Sequence, residues 1–90
     1  MVETFEITSD AKMVKTKMKS TELDSTKVLV FIDHDDKIVY LWRGKKAGLF
    51  EKLMGTRVAA KLSHTYPDYR IRPVGEGHEP ALFFKSLGKK

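Results

Sequence analysis

Ninety residues suffice for one domain with one modest core. With no cysteine, 41% hydrophobic residues and a mean hydropathy of −0.36, the chain excludes a disulfide scaffold and a thiolate metal site, and no apolar run nears the ~20 residues that span a bilayer. The net charge of +5 comes from lysines spread along the whole chain, so charge alone permits a nucleic acid, an anionic lipid or an acidic protein as partner and selects none of them.

The opening MVETFEIT lacks the basic-then-apolar pattern of a secretory leader. A reducing cytoplasm is the expected location. Asn and Gln are absent, which is compatible with selection against heat-labile amides. Thr4 to Ile7 alternates and predicts a short edge strand. Lys12 to Lys19 (KMVKTKMK) alternates lysine with Met13 and Met18, with Val14 breaking the register. It predicts a half-buried or edge strand whose lysines deter pairing with another chain. Ser20 to Thr26 is polar and reads as a loop. Val28 to Ile32 (VLVFI) is continuously apolar, as a central strand covered on both faces would be. Asp33 to Lys37 is the turn of a hairpin, and Ile38 to Trp42 (IVYLW) is its partner strand.

Gly44 leads into the longest periodic stretch, Ala47 to Thr65. At about 100° per residue, Met54, Val58 and Leu62 share a stripe with small Gly55 and Ala59 at its edge, and this stripe is expected to bury against a sheet. Leu49, Leu53 and Ala60 fall well away from it, beside Arg57 and His64. A one-sheet domain offers a helix one core, so this second group is either solvated or meant for a partner. Pro67 drives Tyr66 out of the α region and ends the helix. Tyr69 to Val74 returns as a strand, and Pro73 places it at an edge or makes it fray. Glu76 to Pro80 is a turn, with Pro80 suited to the first position of a short helix, Ala81 to Leu87. No repeat, linker or low-complexity tract interrupts residues 1–90. The predicted class is α+β, a mixed sheet between a long and a short helix.

Catalytic and metal-binding patterns are weak. Asp33-His34-Asp35-Asp36 lacks the central Gly and distal Glu of an EF-hand and is better explained as a turn favoured by Asp. His34, His64 and His78 have no metal-ligand spacing. No serine sits in a nucleophile elbow. Glu76 would repel a phosphate from the Gly75–Gly77 turn. An enzyme is not expected. Phe5, Phe31, Tyr40 and Trp42 sit at strand spacing and accompany no RNA-binding motif, so they read as core and no nucleic-acid partner is expected.

Four patches nevertheless combine. LDSTKVLVFID (Leu23 to Asp33) resembles the gelsolin-repeat strand L-x-S-x-D-V-F-x-L-D. IVYLWRG (Ile38 to Gly44) resembles its I-Y-x-W-x-G strand. EGHEP (Glu76 to Pro80), followed by Phe83 or Phe84, resembles its E-G-x-E-P-x-x-F tail. Phe5-Glu6-Ile7 resembles its opening L-F-x-I. Order and spacing hold over nearly the whole chain, which resembles a stand-alone, protogelsolin-like form of the gelsolin/villin repeat family. That resemblance implies a five-stranded sheet between a long and a short helix. It also implies actin as partner, with the long helix in the cleft between actin subdomains 1 and 3. Leu49, Leu53 and Ala60 would supply apolar contact there, and Arg57, Lys61 and His64 a polar rim. The implied outcomes are monomer sequestration, barbed-end capping and filament disassembly. The rival readings are a gelsolin-like scaffold without actin activity and a phosphoinositide-binding module using the dispersed lysines.

The resemblance also implies a calcium site, and here the sequence departs from the family. The family's helix Glu matches Glu51, but its Asp falls at Lys27, which cannot ligate calcium. The expectation is a degenerate site in which the Lys27 ammonium takes the cation's place and pairs with Glu51. No cofactor is required, calcium binding is weak, and ligation by the Asp33–Asp36 turn or by actin's own carboxylates stays open.

Overall fold

The sheet is built outward from Val28–Asp33, six residues that are all buried. An extended chain sends successive side chains to opposite faces, so a run of six buried residues needs cover on both sides. In the computed structural model, which describes residues 2–8, 10–16 and 23–88, that cover is one helix on each face. The elements in chain order are β1 (Val2–Ile7), β2 (Met13–Thr16), β3 (Val28–Asp33), β4 (Ile38–Arg43), α1 (Leu49–Thr65), β5 (Arg70–Gly75) and α2 (Ala81–Leu87). The strand order is β2-β1-β3-β4-β5. Every neighbouring pair is antiparallel except β4 and β5, which run parallel because the chain crosses between them through α1. This is the expected α+β architecture.

Strand alternation sorts the core into two layers. Val28, Val30, Ile32, Val39 and Leu41 meet Met54, Val58 and Leu62 of α1. Leu29, Phe31, Tyr40, Trp42 and Val74 meet Phe83 and Leu87 of α2. Phe83 stands edge-on to both Phe31 and Tyr40, with ring centroids 5.3 Å apart in each pair. Gly55 lets α1 lie close on the sheet, because a Cβ there would come within 2.9 Å of Val28 Cγ1. A Cβ on Gly44, where the chain turns from β4 towards α1, would collide with the Ser25 backbone carbonyl.

Two details differ from expectation. β1 is interior, between β2 and β3, where an edge strand was expected. Its polar alternation misleads because Thr4 is buried, at 3% exposure, on the α2 face. β2 covers Met13–Thr16 at the edge of the sheet, within the expected strand, and Lys17 to Lys19 of that strand lie outside the described residues. Pro80 is the cap preceding α2, one position before its expected place. β2 and β5 are the outer strands, so Pro73 does lie at an edge. Asp33 closes the β3–β4 turn by accepting from the Asp35 and Asp36 amides at 3.0 and 3.1 Å. No helix among the described residues is long and apolar enough to cross a membrane.

Candidate functional site: the outer face of the long helix

Helix α1 presents two different surfaces. Its inner flank, Met54, Gly55, Val58 and Leu62, is buried on the sheet. Its outer face carries Leu49 at 75% exposure, Phe50 at 58% and Leu53 at 53%. Arg57, Ala60, Lys61 and His64 are exposed as well. At about 100° per residue, Leu49, Ala60, Leu53, His64 and Arg57 fall in that order within an arc of about 80°. The structure thus brings five of the six expected contact residues onto one surface. Lys61 lies further round, towards the buried stripe. The apolar end of the face is its N-terminal half, and the polar end is its C-terminal half. Phe50 is missing from the sequence reading, although an aromatic beside Leu49 and off the sheet-facing stripe is a readable signal.

The Thr56, Ser63 and Thr65 hydroxyls donate back to the carbonyls of Lys52, Ala60 and Lys61. No side chain caps the first turn, where Gly48 is the cap residue in an extended conformation. Glu51 lies in that turn, where a negative charge complements the helix dipole. Its carboxylate folds back over Gly48, where an added Cβ would strike it. At the other end the Tyr66 amide donates to the Leu62 carbonyl at 2.8 Å, and Pro67 follows.

The expected Lys27–Glu51 pair is replaced by another. Lys27 Nζ donates to Glu6 Oε1 at 2.8 Å. This hydrogen bond, with the Glu6 charge, raises the Lys27 pKa. The reason is alternation. Lys27 stands two residues before Leu29 and shares its face, and Glu6 is the β1 residue opposite Leu29. Glu51 rides on α1 over the other face. Among the described residues no group of three or more His, Asp and Glu is placed to hold a metal. With an ammonium where the family has an Asp, the residues present do not fit a calcium ion in the family's manner.

The remaining motif residues are structural ties. Glu76 Oε2 accepts from the Ser25 hydroxyl at 2.6 Å and Oε1 from the Lys45 amide at 2.8 Å. The Ser25 bond, then the Lys45 amide, holds its carboxyl below the usual range. Glu79 Oε2 accepts from Trp42 Nε1 at 3.0 Å and Oε1 from the Gly77 amide at 2.8 Å. Burial opposes the charge on Glu79, but these hydrogen bonds outweigh it and its pKa is lowered. Gly77 takes φ +86°, which favours glycine. His34 is likewise occupied, with Nε2 2.8 Å from Glu3 Oε2 and Nδ1 2.8 Å from the Tyr69 hydroxyl.

This arrangement has close counterparts among solved structures. Thorarchaeota ProGel, in a crystal structure of its complex with rabbit actin, is 68% identical, with a TM-score of 0.90 over 98% of this chain and 100% of that one. The chain belongs to the gelsolin-like family. Thorarchaeota 2DGel3, also solved with rabbit actin, matches at 24% identity and a TM-score of 0.81, a likeness of fold. This chain covers 94% of its own length in that match and spans 44% of the 2DGel3 chain. No protein-family model and no curated protein matches. The gelsolin-like fold accounts for the E-G-x-E-P tail in this chain. Its two glutamates pin the segment before α2 to the β4 end of the sheet, and Pro80 follows in an extended conformation.

Proposed function

We propose that this protein binds actin by laying the outer face of α1 in the cleft between actin subdomains 1 and 3. The observation that carries the reading is the exposure of Leu49, Phe50 and Leu53 on a helix whose opposite flank is already packed. An amphipathic helix that leaves large apolar groups in water is suited to a groove, with these side chains as anchors. The crystallised complex of the 68% identical ProGel with rabbit actin supports the choice of partner. Arg57 and His64 would supply the polar rim, with Lys61 flanking it. Occupying that cleft blocks the contact a further actin subunit would use, so the protein sequesters monomers, caps barbed ends and favours disassembly. Its place of action is the cytoplasm. No step in this reading needs calcium. Co-migration with actin and pyrene-actin polymerisation, each with calcium and with chelator, test it. Polymerisation that proceeds unaltered at a molar excess of the protein overturns it.

A second reading has one observation in its favour. Arg43, Lys45, Lys52 and His78 line a crevice of about 270 Å³ beside Glu76, whose two oxygens are already engaged. Such a cationic crevice suits the headgroup of an anionic phospholipid. Vesicle binding that falls steeply with salt and tracks these lysines, and not Leu53, would favour it.

A further inference from the structure

A groove of about 450 Å³ lies between the C-terminal half of α1 and the turn joining β1 to β2. It is separate from the apolar end of the outer helix face. Its lining includes Met13, Val58 and Leu62 together with Lys12, Lys61 and Thr65. The volume falls within the roughly 300–1,000 Å³ of small-molecule pockets, and an apolar lining with a few polar groups is their usual make-up. The groove exists because β2 is the outermost strand while α1 packs over the middle of the sheet.

The turn that forms one wall is specifically held. Ala11 sits at φ +61°, a conformation that costs an L residue energy. The Thr8 amide donates to the Lys12 carbonyl at 3.0 Å, the Ala11 amide to the Thr8 carbonyl at 3.1 Å and the Lys12 amide to the Thr8 hydroxyl at 3.2 Å. These bonds bring Ala11 and Met13 against the α1-side core. Neither Lys12 nor Lys61 forms an ion pair among the described residues. Two lysines without an ion-pair partner among the described residues, both lining a groove with an apolar floor, are complementary to a molecule with an anionic head and an alkyl tail.

We propose that this groove binds a soluble amphipathic monoanion, a medium-chain carboxylate, with Lys12 and Lys61 receiving the head and Met13, Val58 and Leu62 the chain. The step is non-covalent and does not depend on the actin reading, although Lys61 serves both surfaces.

The test titrates sodium octanoate into ¹⁵N-labelled protein and follows amide shifts. Saturable shifts confined to residues 11–13 and 58–65 are expected. Octanol, which keeps the tail and lacks the charge, is expected to bind at least several-fold more weakly. The double reversal Lys12→Glu with Lys61→Glu is expected to lose octanoate at least tenfold and to gain octylammonium. Both positions are exposed, and a thermal melt verifies that the variant folds. Lys12→Gln, which removes one charge, gives a weaker effect in the same direction. Absence of saturable shifts, shifts centred elsewhere, equal binding of octanol, or a folded reversal variant that keeps octanoate would each overturn the proposal.

Discussion

Leu53→Asp is the sharpest probe of the outer helix face. Burying a whole leucine side chain is worth roughly 1.5–3 kcal/mol. Leu53 already hides part of its surface and keeps 53% in water, so about half of that value, ~1 kcal/mol, remains for a partner to gain. Leu53→Ala is therefore expected to weaken actin binding about fivefold. Aspartate does more, because docking would strip water from a carboxylate with no partner, at a further cost of several kcal/mol. The combined loss exceeds about 3 kcal/mol, which is more than 100-fold in affinity. The monomer should scarcely notice, since the site is exposed and the helix propensities of Leu and Asp differ by a few tenths of a kcal/mol. At roughly 4–8 °C per kcal/mol for a domain of this size, the melting temperature should move by a few degrees at most. The assay pairs a circular-dichroism melt with native-gel co-migration and pyrene-actin polymerisation. A folded Leu53→Asp protein that slows polymerisation as wild type does would refute the helix-face argument while leaving the fold untouched.

Other positions test the packing and the electrostatics. Gly55→Ala gains up to about 1 kcal/mol in helix propensity but drives a methyl to 2.9 Å from Val28 Cγ1 and 3.4 Å from Leu41 Cδ1, an overpacking worth about 1–3 kcal/mol. A lower melting temperature is expected, and a rise would show that the helix has room to move. Thr4 buries a hydroxyl that has no hydrogen-bond partner among the described residues, so Thr4→Val should stabilise by about 1 kcal/mol in urea unfolding. Glu3, Glu76 and Glu79 all have lowered pKa values, the first chiefly through its hydrogen bond with His34. Their folded values lie below the unfolded ones, so the unfolded chain takes up protons first. The stability they contribute is complete above about pH 4.3 and is lost as pH falls further, through the folded values. Urea midpoints should therefore drop as pH falls below about 4.3, and Glu79→Gln should flatten the drop. A profile unchanged by Glu79→Gln would mean that the Trp42 contact does not bias this carboxyl.

Most of the fold was legible because its main signals are local. VLVFI announces a strand covered on both faces, IVYLW its hairpin partner, and Pro67 the end of α1. What failed needed information from elsewhere in the chain. Whether Thr4 to Ile7 lies at an edge depends on where β2 docks, and nothing within those four residues encodes that. The partner of Lys27 depends on which face its side chain takes. Counting back from Leu29 gives that face, and pairing β1 against β3 then gives Glu6. Glu51 looked closer only because a family motif suggested a shared site. Phe50 was less legible because it stands three residues before Leu53 and four before Met54, between the two stripes. An aromatic that fits neither stripe is easily passed over, yet it enlarges the apolar patch more than Ala60 does.

The exposed face of α1 is also what a one-sheet fold must produce when a helix carries apolar groups on two sides. The sheet face beneath α1 is already filled by Met54, Val58 and Leu62, with Gly55 allowing the closest approach. Rotating the helix to hide Leu49 and Leu53 would lift those core residues into water and remove the glycine from the one place where its lack of a side chain is needed. The two arrangements compete for one surface, and the tightly packed one prevails. Leu49, Phe50 and Leu53 are then left in solvent by the geometry of the sheet, so any gain from their burial has to come from a second molecule. That gain is withheld in the free protein and would be released on docking. Variants of the outer face should therefore separate cleanly from variants of the inner one. Changes at Leu49, Phe50 and Leu53 should alter affinity at nearly constant stability, and changes at Met54, Val58 and Leu62 should alter stability first.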